Sequence, residues 1–365
     1  MTVPVLLDAT PLADGHSARG IGAAVRGILA GFAEIPARER PVLLVRSGQE
    51  VPGGFTVRAV SWPRWNAPRL PDPWPALRGD RIVRRLAGDG IVHAVQPALV
   101  PAGRTVVTCH DLIPAVYRDD YLAGAGRAPE AAAYRRFLAR LKEALLVMVP
   151  SRETADDVMR IAGVDAARIR IIPWAAPPAA HAEGPPIPPG YVLYTGAIEP
   201  HKNAPLAIEA ISRAAPGTRL VMTGPWSRRR AARLRGYAAR VGAAGRVEWL
   251  GLLSPGRLAA VRAGATAVLV PSRKEGFGLP VLEALEKGIP VLASDIPALR
   301  EVGGDAATYL PPDDPAAWAR AISAVAAMPS HERAALAGEG RRRAARFSWR
   351  RTAQDLSAAY RDALA

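Results

Sequence analysis

The sequence predicts an α/β protein built from two doubly wound domains, and three observations lead there. Short apolar runs alternate with helical stretches along all 365 residues, the pattern of parallel strands covered by helices. At about 150 residues per domain, such a length accommodates two cores. Between the two halves, residues 173–190 (PWAAPPAAHAEGPPIPPG) hold seven prolines, too many for a helix or a central strand, and mark an interdomain linker.

In the first half the candidate strands are 3–7, 42–45, 56–60, 91–95, 106–109 and 145–149. Most are brief apolar runs of the kind a strand buried on both faces requires. Helical periodicity appears at 21–34, 129–143 and 152–161. The second half repeats the scheme with strands 191–195, 219–223, 247–250, 265–270 and 290–293, and helical spacing resumes at 315–328 and runs to the C-terminus. The expected domains are 1–172 and 191–346, joined by the linker 173–190. Two such domains facing one another form a cleft at the carboxyl ends of both sheets, where open α/β sheets take ligands.

Composition excludes several classes. The apolar runs fall well short of the roughly 18 residues of a membrane span, and the start MTVPVLLDAT has neither a basic n-region nor a cleavage site. The lone Cys109 excludes an internal disulfide framework or a multi-cysteine metal site, so a cytoplasmic location is expected. The net charge of +15 would suit an anionic partner, but the basic excess is almost all arginine, as a GC-rich genome writes anyway. Its distribution is uneven, with +5 over 1–190 and +10 over 191–365.

The most informative stretch is 271–295, PSRKEGFGLPVLEALEKGIPVLASD. A buried strand ends at Pro271, Glu275 follows in the loop, Gly276-Phe277-Gly278 lets backbone approach a ligand, and Pro280 suits the first turn of a helix. Free N–H groups at that helix start form a diphosphate site. Glu283, eight residues after Glu275, brings a second carboxylate to the same neighbourhood, and paired carboxylates suit sugar or ribose hydroxyls. Taken singly, the same residues read as a plain turn, a solvated loop glutamate and a partner for Lys287 at i+4.

The E-x7-E spacing within EGFGLPVLEAL resembles the signature of the retaining GT-B glycosyltransferases, the glycogen-synthase-like nucleotide-sugar transferases of family 4. A second element agrees. After strand 191–195, Gly196-Ala197-Ile198-Glu199-Pro200-His201-Lys202-Asn203 resembles that family's strand-turn-lysine element, in which the lysine binds the donor diphosphate. Gly196 admits close backbone approach, Lys202 supplies a compact cation, and Asn203 is expected to cap the following helix. Lys202 and Lys274 are two of only four lysines in the chain. Many family members carry arginine directly after the glycine. This chain has Ala197, which leaves Arg273, Lys274 and His201 as candidates for a second diphosphate cation.

In the first half, His110-Asp111 at the end of strand 106–109 resembles a family pair whose histidine contacts the transferred sugar. Asp8-Ala9-Thr10 with Arg19-Gly20-Ile21-Gly22 resembles the loop in which glycine backbone nears donor phosphate or acceptor, although Asp8 could equally cap a turn. Pro150-Ser151, Ile171-Ile172-Pro173 and Phe347-Ser348-Trp349 resemble further landmarks, and the resemblance implies that the last helix, 347–365, crosses back onto the first domain.

The resemblance implies a metal-independent hexosyltransferase with retention of configuration and no cofactor, the nucleotide sugar being a substrate. Glu275 and His110 would serve the reaction. Lys202, Gly196, Glu283, Gly276, Phe277, Gly278, Arg273 and Lys274 would bind the donor, and Gly20, Gly22 and Asp111 the acceptor or a phosphate. GDP-mannose is the first choice of donor and a lipid-linked saccharide one candidate acceptor. A UDP-sugar with a soluble acceptor is the alternative. A nucleic-acid-binding protein is the non-enzyme rival, against which stands the lack of a recognition motif.

Residues 46–90 fit the resemblance least. Within them, 58–85 joins Trp62, Trp65 and Trp74 to seven arginines against two aspartates. That composition fits either a proline-rich loop packed on its own domain or docking on an anionic membrane face. The acid-free run 228–246, with seven arginines, reads as the solvated face of one helix.

Overall fold

The computed structural model describes the chain apart from residues 1–3, 14–19, 62–73, 98, 125–126, 179, 186 and 365, with backbone alone at 74–80. The chain divides into two compact units, Met1–Ala175 with Ser348–Ala365, and Ala176–Phe347. The division falls inside the proline-rich stretch, which is packed along much of its length. Pro173 O accepts from Thr352 Oγ1 at 2.7 Å, and Trp174 is buried. On the other side of the division Ile187 is buried, and Glu183 N donates to Gly256 O at 3.0 Å.

The first unit holds β1 (Val5–Asp8), α1 (Gly20–Ala33), β2 (Val42–Arg46), β3 (Val57–Val60), α2 (Trp74–Ala87), β4 (Ile91–Ala94) and β5 (Thr105–Thr108). It continues through α3 (Ile113–Val116), α4 (Arg118–Tyr121), α5 (Ala128–Glu143), β6 (Leu146–Val149), α6 (Arg152–Asp157) and β7 (Ile169–Ile171). Its seven strands pair in parallel in the order β3-β2-β1-β4-β5-β6-β7. The second unit holds β8 (Tyr191–Thr195), α7 (Ala204–Arg213), β9 (Arg219–Thr223), α8 (Arg228–Arg240), β10 (Val247–Gly251), α9 (Pro255–Ala263) and β11 (Ala267–Val270). Then follow α10 (Leu279–Glu286), β12 (Val291–Ser294), α11 (Pro297–Gly303), β13 (Thr308–Leu310), α12 (Pro315–Ala327) and α13 (Ser330–Ala344). Its six strands are also all parallel, in the order β10-β9-β8-β11-β12-β13.

The central strands are buried on both faces, which is why they stand out as uninterrupted apolar runs. The edge strands β7 (IRI) and β13 (TYL) escape that signal, because each is three residues long and partly exposed. Helix α2 replaces a loop from Trp74 onward, while 62–73, with most of that segment's prolines, lie outside the described residues. Val83 and Ala87, one turn apart, are buried in a cluster with Leu6, Leu44 and Val92. Among the described residues no helix is long and apolar enough to cross a membrane.

The last helix, α14 (Trp349–Leu364), packs on the first unit. Its buried positions Trp349, Thr352, Ala353, Leu356, Ser357, Ala359 and Tyr360 recur at three- and four-residue intervals, a single apolar stripe. The stripe lies on α1, where Gly27 and Gly31 leave room for Trp349, and the Phe32 and Tyr360 rings stack at 6.3 Å. Tyr360 OH also meets the buried His93 Nδ1 at 2.7 Å, while His93 Nε2 meets Thr108 Oγ1 at 2.7 Å. Burial, reinforced by His110, lowers the His93 pKa to about 3, so the ring stays neutral as part of the core.

A methyl group at Gly31 would stand 2.0 Å from the Trp349 carbonyl oxygen, a backbone atom that cannot swing aside. Gly31→Ala is therefore expected to lower stability by about 1–3 kcal/mol through overpacking of α1 against α14. Urea unfolding measures the loss, and an unchanged midpoint would contradict the close approach.

Candidate functional site

In each sheet the chain winds outward in one direction and then returns to wind in the other, leaving a switch point beside the first strand. In the second unit that point lies between β8 and β11. The loop after β8 carries Gly196 and Lys202, and the loop after β11 carries Arg273, Lys274, Glu275, Gly276, Phe277 and Gly278. Arg273 N donates to His201 O at 2.7 Å and clamps the two loops together.

Lys202 and Glu275, 73 residues apart in sequence, meet here. Lys202 Nζ lies 2.7 Å from both Glu275 carboxylate oxygens, and Ser272 Oγ donates to Glu275 Oε1 at 2.6 Å. The Glu275 side chain is only 7% exposed. Burial alone would raise its pKa, but the Lys202 ammonium, His201 and the hydrogen bonds from Lys202 and Ser272 hold the carboxyl below its ordinary value. Burial and the neighbouring ammonium depress His201 to about 4, against a smaller opposing pull from Glu275. His201 is thus a neutral ring at physiological pH rather than a second cation.

The glycine loop leads directly into α10. Gly278 adopts φ +112°, and a Cβ there would meet Leu299 Cδ2 at 2.7 Å, so glycine is required for both reasons. The Phe277 side chain is buried edge-on against Phe347, with ring centroids 5.9 Å apart, so its side chain packs in the core. Arg273 is exposed and Lys274 half-buried.

The structure removes one alternative reading and corrects one expectation. Glu283 is paired with Arg262 of α9 at 2.5 Å, not with Lys287, which contacts Glu286 instead. Burial raises the Glu283 carboxyl above its usual range, with Arg262 opposing and Glu286 adding to the rise. Asn203 does not cap α7. It adopts a left-handed conformation and its side-chain amide donates to Pro312 O at 2.7 Å.

Gly224 and Trp226 were not singled out from sequence. Trp226 Nε1 donates to Gly196 O at 2.9 Å, and a Cβ at Gly224 would lie 2.0 Å from that same oxygen. The signal was available in the repeated Thr-Gly at the ends of β8 and β9, Thr195-Gly196 and Thr223-Gly224. Arg262 had no such signal, since it lies 21 residues before its partner.

In the first unit, the switch point lies between β1 and β4. Asp8 is buried there and accepts from Thr10 N at 2.9 Å, Thr10 Oγ1 at 2.6 Å and Gln96 Nε2 at 3.0 Å, the turn-capping arrangement. His110 Nε2 donates to Val95 O at 2.7 Å, and its ring centroid is 5.0 Å from that of Trp174. Asp111 Oδ1 accepts from Ile113 N at 3.0 Å. Gly20 opens α1 at the surface and Gly22 is buried in it, while Arg19 lies outside the described residues.

Two Rossmann-like sheets, with the final helix packed on the first and a lysine–glutamate pair at the switch point of the second, define a GT-B transferase. Comparison with known proteins agrees. Residues 181–343 match the glycosyl transferases group 1 family and residues 23–178 match glycosyltransferase family 4. The chain belongs to this glycosyltransferase family. It is 34% identical over 180 residues to a D-inositol 3-phosphate glycosyltransferase of Segniliparus rotundus, covering 47% of this chain and 40% of that protein. To an O-antigen chain mannosyltransferase of Salmonella typhimurium it is 26% identical, over 70% of this chain and 69% of the other. The chain spans about half the length of the first curated relatives it matches. Sucrose-phosphate synthase from Thermosynechococcus elongatus shares the fold with a TM-score of 0.78 at 22% identity, over 98% of each chain.

Removing Lys202 strands a buried carboxylate. Lys202→Met is therefore expected to lower stability by about 3 kcal/mol at neutral pH, and adding Glu275→Gln to restore much of it. The sign with pH follows from the lowered Glu275 pKa. In the wild type the stabilisation is complete above the ordinary carboxyl value of 4.5 and is lost as pH falls through the lower folded value. In Lys202→Met burial lifts the carboxyl instead, so the two stability curves should converge on acidification. Urea titrations from pH 7 to pH 3 check this, and parallel curves would contradict it.

Proposed function

We propose that this glycosyltransferase moves mannose from GDP-mannose to a hydroxyl acceptor, with retention of configuration and without a metal ion. The observation that carries the donor-site assignment is the bidentate Lys202–Glu275 pair at the second switch point, held beside the Gly196 turn and the glycine loop that opens α10. The mannosyltransferase relatives support the choice of sugar. In this reading the sugar diphosphate lies against Lys202 and the backbone of Gly196 and Gly276–Gly278. Glu275 accepts from the sugar hydroxyls and Glu283 from the ribose, His110 serves the reacting centre, and Asp111, Gly20 and Gly22 serve the acceptor or a phosphate. The anomeric carbon is attacked on the face from which the diphosphate leaves, and the departing phosphate oxygen takes the acceptor proton. The protein contributes positioning and electrostatic stabilisation.

A UDP-sugar and a small soluble acceptor form the second reading, and relatives named as D-inositol 3-phosphate glycosyltransferases favour its small soluble acceptor. Thermal shift with GDP, UDP, TDP and ADP separates the two. The first reading expects the largest stabilisation with GDP, the second with UDP. With GDP-mannose, Glu275→Gln should reduce turnover more than nucleotide affinity and Glu283→Gln the reverse. Transfer should also persist in EDTA; loss restored by Mn²⁺ would rule out the metal-independent route.

The lipid-linked form of the acceptor rests on segment 58–85. Trp62 and Trp65 lie outside the described residues, and Arg84 is engaged with Ala102 O and Thr105 Oγ1. Arg81, Ile82 and Arg85 of α2 are exposed. At about 1 kcal/mol per basic residue near an anionic surface, a few such charges give weak, reversible docking. Sedimentation with phosphatidylserine vesicles should show binding that falls with salt and with Trp62→Ala plus Trp65→Ala. No binding at low salt would point to a soluble acceptor.

A further inference from the structure

A second cation contacts the turn that carries Lys202. Arg230, on α8, places Nη1 2.5 Å from Glu199 Oε1, and Glu199 O in turn accepts from Lys202 N at 3.0 Å. The contact is built into the fold. The loop after β9 is pressed onto the Gly196 turn through Trp226 Nε1 and through Gly224, where no side chain would fit. Ser227 Oγ accepts from Arg230 N and fixes the first turn of α8.

The two ion pairs at this turn differ in what holds them. Glu275 is 7% exposed, uses both oxygens on Lys202 and is further held by Ser272. Arg230 and Glu199 are 40% and 22% exposed, with one bond between them and solvent able to take over either partner. Exposed pairs of this kind are weak, and a phosphate oxygen is a stronger acceptor for a guanidinium than a solvated carboxylate. A diphosphate carries more than one negative charge, and Lys202 is already balanced by Glu275.

We propose that Arg230 is the second diphosphate-binding cation of the donor site, held in reserve by Glu199, which it leaves when a nucleoside diphosphate enters. This rests on the donor-site reading above and adds a residue to it. Glu199 then acts as a positioning residue that competes with the ligand.

The test is isothermal titration of the wild type, Arg230→Ala, Glu199→Gln and Lys202→Ala with GDP, UDP, GMP and UMP. Arg230→Ala should weaken diphosphate binding about tenfold and leave monophosphate binding unchanged. Glu199→Gln should tighten diphosphate binding by roughly twofold to fivefold, because the competing carboxylate is gone. A merely structural ion pair would give a loss in both variants, for mono- and diphosphates alike, and would overturn the assignment. Diphosphate affinity that falls in Lys202→Ala but not in Arg230→Ala would remove Arg230 while leaving the donor-site reading intact. A wild type that binds neither diphosphate would overturn both.

Discussion

A carboxylate sealed from water has to be matched by a cation or give up its charge, and Glu275 is the place where that constraint shapes this molecule. The match comes from Lys202 across the switch point of the second sheet. For the ammonium to arrive with both oxygens in reach, the loops after β8 and β11 must sit side by side. The sheet order guarantees this, because β8 and β11 are neighbours although three helices and two strands separate them in the chain. Arg273 N on His201 O locks the same two loops through backbone alone.

Much of the surrounding architecture can be understood as making those loops short and close. Gly196, Gly224 and Gly278 each lie at positive φ at the end of a strand or the start of a helix, and at Gly224 and Gly278 any side chain would collide with its neighbours. Without side chains the loops approach through backbone, with Gly196 N bonded to Thr223 O and Gly224 N to Gly251 O.

The first unit is organised around a different constraint. Its polar residues at the strand ends are largely committed to one another, with Asp8, Thr10 and Gln96 forming one closed network and His93 locked between Tyr360 and Thr108. The link from His93 to Tyr360 joins the sheet to α14, so the last helix is tied to this unit by a buried hydrogen bond as well as by its apolar stripe.

The sequence by itself determined the α/β class, the number of domains and the central strands, since strands buried on both faces have to be written as unbroken apolar runs. Lys202, Glu275 and the glycine loop were legible through the spacing they share with a known family, whereas singly they read as an ordinary turn and a solvated glutamate. Tertiary structure decided the rest. Edge strands β7 and β13 and helix α2 carry mixed residues whose role depends on what packs against them. The partners of Glu283, Asn203 and Arg230 lie 21 to 109 residues away, on elements brought near only by the winding of the sheet. A side chain's nearest charge is a property of the sheet order, and local spacing such as i+4 cannot supply it when a neighbouring strand or helix presents a better partner.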